Sequence, residues 1–367
     1  LIQVSRELHK KLITIMITKM KFQKSFSDPC LVYKKDENGT VMLGIYVDDC
    51  LCIGDRKAIE KTKSELREHF EIKDEGPMQE YVGCHVMREN DKLLKMSQPD
   101  LINKIEKSFK NEFKDKVYQI PAAARDAIVR TNREDCIDAT RQKRYRSGVG
   151  MLLYLIKYSR PDISNAVREL SKAMDMPNEA HWKALIRNLK FVVDTRMKAL
   201  TYECNVKDKN EEVLILKAYC DSDYAGDKET RASVTGYCIY LHGCLIAWKS
   251  RAQKTVSLSS TEAEYIAVSE VITEILFIKH IMDFLQVKLS LPIIVNCDNV
   301  GAIFLGYNAK SSPRTKHIGV RYHFIREHIE DGIVKIVFVR SEQNDADIYT
   351  KNVGEKTFNE HSSKYMK

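Results

Sequence analysis

A chain of 367 residues, 44% apolar and 30% charged, is long enough for two or three domains, each with its own core. No apolar run reaches the length of a membrane-spanning helix, and the ten cysteines contain no CxxC pair, which argues against an integral membrane protein, a zinc ribbon and a secreted disulfide scaffold. A net charge of +8 suits a polyanionic partner, and a Lys-rich solvated surface equally well.

Leu8 to Phe22 carries helix-spaced apolar residues (Leu8, Leu12, Ile15, Met16, Met20) with lysines between them. The stretch SDPCLVYKKDENGTVMLGIYV then reads as a hairpin turning at Asn38-Gly39. It runs on into VMLGIYVDDCLCIGD, where Asp48 and Asp49 stand side by side between two apolar strands. Two carboxylates about 4 Å apart repel by roughly 4 kcal/mol at an effective dielectric near 20, and a divalent cation reverses the sign of that interaction. A solvated Asp-Asp turn is the simpler alternative, but apolar flanks on both sides favour a metal-binding turn.

Ala58 to Phe70 is expected as a charged amphipathic helix, MQEYVGCHVMRENDKLLKMSQ as another hairpin, and Pro99 to Phe113 as a helix. Residues 114–144, rich in charge and poor in periodicity, read as a linker. A helical block follows from Tyr145 to Asp194, broken at Pro161 and Pro177. Beyond Asn210 the pattern becomes three strands, then helix, strand, helix, strand, helix, the order of a compact mixed α/β domain ending near Val353. The cysteines, Cys50, Cys52, Cys220, Cys238, Cys244 and Cys297 among them, lie in apolar runs and are expected as buried thiols of a reducing compartment. No signal peptide is visible. The start at Leu1 rather than Met is what a fragment or processed piece of a longer chain would show.

In the last domain, acids recur where apolar strands end and helices begin. Asp221 closes VLILKAYC, with Asp223 and Asp227 after it; Asp298 closes PIIVNC; Glu264 lies in the first turn of a long helix; Asp347 opens a short C-terminal one. Four such carboxylates can converge at one sheet edge and hold two divalent ions about 4 Å apart, which clamp the water and the leaving oxygen of a phosphodiester. Each position has a simpler reading. A calcium loop from Asp221 fails because Ala225 and Ala232 occupy ligand positions. Glu264 follows Thr261, and Glu262 follows Ser259, at capping-box spacing. Asp298-Asn299 can cap a helix, and Asp347 can serve as a first-turn acid. One coincidence is ordinary; four in this order favour a metal site. His317, His323 and His328 do not align on one helical face, so a basic face with Arg314, Lys316, Arg321 and Arg326 is expected there, suited to phosphate.

Together these residues resemble a known family. Tyr46-Val47-Asp48-Asp49 is similar to the metal-binding turn of reverse transcriptases. YRSGVGMLLYL, SRPDISNAV, CDSDYAGD, AWKSRAQKTVSLSSTEAEYIA, RTKHIGVRYHFIREHI and DADIYTK resemble the end of the copia-type retrotransposon polyprotein. The resemblance implies an α/β (α+β) chain: a partial reverse-transcriptase palm (1–56), a thumb-like region and linker (57–144), a helical connection (145–210), a ribonuclease H-like mixed-sheet domain (211–353) and a tail (354–367). It implies that Asp221, Glu264, Asp298 and Asp347 are catalytic metal ligands for Mg²⁺, with Mn²⁺ as the alternative. It further implies that Asp48 and Asp49 bind metal in the palm, and that Tyr46, Arg314, Lys316, His317, Arg321 and Arg326 meet nucleic acid.

The implied activity is cleavage of the RNA strand of an RNA–DNA hybrid. The implied partners are that hybrid or a template-primer and other parts of the polyprotein, with no membrane. The implied location is intracellular, in a cytoplasmic virus-like particle with nuclear entry. Polymerase chemistry needs a third acid on an earlier palm strand. Of the acids before Asp48, namely Glu7, Asp28, Asp36 and Glu37, none follows such a strand, so this fragment is expected to be an inactive polymerase. The competing readings are a catalytically idle or co-opted remnant that binds nucleic acid or protein, and a polymerase completed by another chain. The sequence departs from the family at Tyr224, often Trp, and has no His shortly before Asp347.

Overall fold

The computed structural model describes residues 2–47, 49–130, 132–203, 213–308 and 319–367. The chain forms two compact units, Leu1–Met78 with Glu274–Leu289, and Gln79–Thr273 with Ser290–Lys367. Among the described residues no helix is long and apolar enough to cross a membrane.

In the first unit, helix α1 (Ile2–Thr18) precedes an antiparallel sheet in the order β1 (Gln23–Lys24), β2 (Leu31–Asp36), β3 (Gly39–Tyr46), β4 (Asp49–Gly54), followed by α2 (Arg56–Arg67). Alternation puts Val41, Leu43 and Ile45 of β3 on one face. There they pack with Leu12, Ile13 and Met16 of α1 and with Ala58 and Leu66 of α2. Helix α2, expected in the thumb-like region, therefore shares this core, and the unit runs past the expected boundary at residue 56.

The first hairpin turns one residue earlier than expected. Asp36 pairs with Gly39, so Glu37-Asn38 is the loop, and the Asp36 carboxylate accepts from the Asn38 N–H at 2.8 Å. Gly39 is instead the first strand residue, at φ +113°, where a Cβ would stand 2.4 Å from Asp55 Oδ2.

The second unit opens with β5 (Glu80–Tyr81), β6 (Cys84–Asn90) and β7 (Leu93–Ser97), then α3 (Pro99–Phe109), α4 (Ala139–Tyr158), α5 (Ser164–Ser171) and α6 (Glu179–Asp194). These four helices close on Phe109, Tyr145, Leu152, Trp182, Leu185 and Phe191. Residues 114–144 are not a free linker. Ile120, Ile128 and Ile137 pack against that core one at a time, too far apart to show a period. The Ile128 N–H donates to Glu169 Oε2 at 2.8 Å. Helix α4 also begins inside this stretch, capped by Asp138, which accepts from Thr140 and Arg141. Strand β8 (Leu200–Glu203), expected within the helical connection, adds to β7 to complete a β5-β6-β7-β8 sheet.

After β9 (Val213–Leu214) come β10 (Leu216–Asp223), β11 (Val234–Leu241), β12 (Cys244–Ala252), α7 (Ser260–Phe284), β13 (Lys288–Leu289), β14 (Ile293–Cys297), α8 (Val300–Tyr307), α9 (Gly319–Glu330), β15 (Val334–Phe338), α10 (Asp347–Thr350) and α11 (Glu355–Ser362). Five strands form a mixed sheet in the order β12-β11-β10-β14-β15, antiparallel on the β12 side and parallel from β10 to β15. This is the mixed sheet expected from the sequence for the last domain.

The expected tail is part of the core. Phe358, His361, Tyr365 and Met366 are buried, and Met366 bridges to Leu200. A short helix after a glycine looks dispensable in sequence because its apolar residues are few, yet each one here fills an interior position.

Candidate active site

Parallel pairing of β10 with β14 sets Tyr219 opposite Asn296. Two residues further along the chain stand Asp221, within β10, and Asp298, just past the end of β14, at the same end of the sheet. Helix α10 delivers Asp347 to that place, and oxygens of Asp221, Asp298 and Asp347 lie within 4.8 Å of one another. Glu264 enters from α7. Its Oε1 accepts the Ser222 N–H at 3.1 Å, and it groups with Asp298 and the Cys297 thiol, whose sulfur is 3.9 Å from Oε2. Asp298 alone belongs to both groups.

The capping alternatives resolve residue by residue. Glu262, not Glu264, makes the capping contacts: its N–H donates to Ser259 Oγ at 3.1 Å and its carboxylate accepts the N–H of Leu258, one residue before Ser259, at 2.8 Å. Asn299, not Asp298, caps α8 by accepting from Ala302 at 2.9 Å. Both acids are left free for the site, and Asp298 Oδ2 accepts from Ser341 Oγ at 2.6 Å. Asp223 is half-buried beside Asp221, whereas Asp227 is committed to Lys172 at 3.1 Å.

Burial dominates the electrostatics. Desolvation, then the charge of Asp221, pushes Glu264 up to about 11; desolvation and Asp221 likewise raise Asp347 to about 7. Asp221 is raised by burial, against the opposing pull of Lys351 and of the Thr350 hydroxyl, which donates to Oδ2. Asp347 Oδ1 is buried with no hydrogen-bond partner among the described residues. The crowded all-oxygen group of Asp221, Asp298 and Asp347, with its orphaned Asp347 oxygen, fits a hard divalent cation, whereas the Glu264–Asp298 group also brings the Cys297 sulfur.

A pH dependence follows. Carboxyls whose folded pKa is raised hold protons that the unfolded chain has released. Their stability contribution is present below about pH 4 and is lost as the pH rises through Asp347's folded value of about 7. In chelator, the melting temperature should fall between pH 5 and pH 8, and added Mg²⁺ should raise it more at pH 8. A flat profile in chelator would contradict this electrostatic picture.

Helix α10 reaches the site because β11 has no side chain at Gly236, the partner of Asp221. A Cβ there would lie 2.6 Å from Thr350 Cγ2 and 3.0 Å from the Tyr349 carbonyl carbon. Gly236→Ala should therefore cost about 1–3 kcal/mol by overpacking, read as a lower denaturant midpoint.

Thr350 and Lys351, both within the DADIYTK stretch, join the site beside the four acids expected from the sequence. Their signal lies in that motif, but nothing in the residue types says that the last residue of a four-residue helix and the one after it both turn toward Asp221.

In the first unit, Tyr46 pairs with Asp49 across the expected hairpin, and both are exposed; Asp48 lies outside the described residues. Val47 in the turn has φ 55°, a left-handed conformation that costs a β-branched residue on the order of 1–3 kcal/mol. Of the expected basic face, Arg314, Lys316 and His317 lie outside the described residues. Arg321 is half-buried on α9, and Arg326 pairs with Glu330 at 2.7 Å and lies over the Tyr322 ring.

A family model for reverse transcriptase (RNA-dependent DNA polymerase) matches residues 2–122. The chain is 35% identical over 365 residues to the retrovirus-related Pol polyprotein from transposon TNT 1-94 of Nicotiana tabacum, covering 97% of this chain and 26% of that protein. It is 33% identical over 359 residues to the Pol polyprotein from transposon RE1 of Arabidopsis thaliana, covering 98% of this chain and 23% of that protein. The chain thus spans about a quarter of the length of these curated relatives. Among solved structures, LC11-RNase H1 in complex with an RNA/DNA hybrid aligns with 37% of this chain and 93% of its own, at 15% identity and a TM-score of 0.28.

Proposed function

The chain belongs to the copia-type retrotransposon Pol polyproteins, and on that footing we propose that its second unit cuts the RNA strand of an RNA–DNA hybrid. The observation that carries the reading is the convergence of Asp221, Asp298 and Asp347 within 4.8 Å, with Glu264 joined through Asp298. Asp221, Asp298 and Asp347 would hold one Mg²⁺, and Asp298 with Glu264 a second. When bound, the ions supply an activated water and stabilise the leaving 3′-oxygen of the phosphodiester.

The residues around them fix the geometry. Ser222 N–H orients Glu264, Ser341 orients Asp298, and Thr350 orients Asp221. Recognition of the RNA strand falls to contacts with 2′-hydroxyls across a wide, shallow minor groove. Positive charge at Arg321 and along the segment around Lys316 would track the phosphates.

The test is direct. Purified chain with Mg²⁺ should cut the RNA of a labelled hybrid, leave duplex DNA intact and lose activity in chelator. Absence of cleavage with both Mg²⁺ and Mn²⁺ would overturn the reading. In the same reading the Asp48-Asp49 turn does not extend a primer, because among the described acids before it Glu7 lies on helix α1 and Asp36 pairs with Gly39, at the other end of β3 from the Tyr46–Asp49 pair. Extension of a primed template that disappears in Asp49→Asn would show that the acid had been misplaced.

A further inference from the structure

Lys351 has no part in the chemistry just described, yet its ammonium stands inside the acid cluster. It lies 3.1 Å from Asp347 Oδ2 and 3.7 Å from Asp221 Oδ2. Those carboxylates, with Asp298, offer the oxygens grouped within 4.8 Å. The ammonium thus pairs with one oxygen each of Asp347 and Asp221, two of the three carboxylates a divalent ion would draw on, while Asp347 Oδ1 has no partner among the described residues. Its side chain is 42% exposed while that of Asp221 is 3% exposed, so the lysine reaches in from the solvent side.

The backbone beneath it is fixed. The Lys351 N–H donates to Asp347 O at 3.2 Å, and the next residue is held from three directions. Asn165 Nδ2 donates to Asn352 Oδ1 at 2.9 Å, the Arg125 N–H donates to Asn352 O at 2.8 Å, and Asn352 Nδ2 donates to Asp126 O at 2.6 Å. The main chain is clamped, and the long flexible side chain is the part that can move.

We propose that Lys351 is a built-in counter-ion of the ion-free site, which holds Asp221 and Asp347 together and competes with the divalent ion for them, swinging outward when the ion enters. The proposal rests on the metal reading above and adds to it a residue that sets the affinity for the ion. Two cations cannot share these carboxylates without strong repulsion in a site this buried. The carboxylates in turn cannot stay crowded without some cation.

The experiment is a Mg²⁺ titration by calorimetry, without nucleic acid, on the whole chain, on Lys351→Met and on Asp298→Asn. Methionine keeps the length of the stem and removes the charge. Lys351→Met should bind Mg²⁺ about tenfold tighter or more, because the competing charge is gone. Its ion-free melting temperature should fall, and the gap should close at saturating Mg²⁺. Lys351→Gln, a second neutral variant should the first not fold, should behave in the same way. Equal or weaker Mg²⁺ affinity in these variants, with Asp298→Asn still losing binding, would overturn the proposal. Absence of Mg²⁺ binding to the unaltered chain would overturn the metal reading on which it rests.

Discussion

Asp298→Asn should lower Mg²⁺-dependent cleavage of an RNA–DNA hybrid by about a thousandfold or more while leaving hybrid binding within a few fold. Asp298 is the residue common to both carboxylate groups, so its loss weakens both ion positions together. The stabilisation a metal gives to developing charge is worth several kcal/mol, and each 1.36 kcal/mol is tenfold in rate, which sets the about thousandfold scale. The fold should survive. Asn299 caps α8, and an amide oxygen at 298 can still accept from Ser341. Gel-resolved cleavage gives the first readout, and fluorescence anisotropy of labelled hybrid in chelator gives the second. Cleavage equal to that of the unaltered chain would remove Asp298 from the ligand set.

Ending the chain after Val353 should unfold the second unit rather than trim it. Phe358, Tyr365 and Met366 are each less than 5% exposed, and fully burying a side chain of this kind contributes about 1.5–3 kcal/mol. The loss is compounded at Asp345. Against a desolvation that would raise its pKa, hydrogen bonds from His361 and Lys364 hold its carboxyl below the ordinary value. His361 Nδ1 lies 2.7 Å from Asp345 Oδ1, and Tyr240 donates to Oδ2 at 3.1 Å. Removing the partners of a buried charge costs about 3–5 kcal/mol more. A domain's whole stability is about 5–15 kcal/mol, so the truncated chain should lose its cooperative melt and become protease-sensitive. A melting temperature within a few degrees of the full chain would show that α11 packs without contributing.

What the sequence made legible follows from what each signal measures. Asp221 and Asp298 could be placed because apolar strands run directly into them, and parallel pairing then brings their ends together. Glu262 and Glu264 could not be separated by spacing, since both satisfy the same capping rule; only the backbone N–H of Ser222, from a different strand, decides. Ile120, Ile128 and Ile137 escaped notice because periodicity detects faces, and a segment that docks through isolated anchors has none. Strand β8 escaped for a related reason: four residues are too few to show alternation, and their role depends on the open edge of β7. Lys351 was hidden because a lysine in sequence looks the same whether it points to water or into carboxylates. The family motifs located the acids, whereas the groups that hold the acids in place come from contacts distant in sequence.

That distance has a kinetic consequence. The Thr350 hydroxyl meets a carboxylate 129 residues upstream, and Asn344 Nδ2 donates to the Cys220 carbonyl from 124 residues away. Loop closures of this span are entropically costly and put a fold among the slower ones, on the order of milliseconds to seconds. On a ribosome the sheet strands from 216 to 252 emerge long before α10 and α11 that complete their surroundings. The acid cluster is therefore a late product of folding: a nascent chain carries Asp221 without Asp347, and the cluster is complete only after α10 has docked on Gly236.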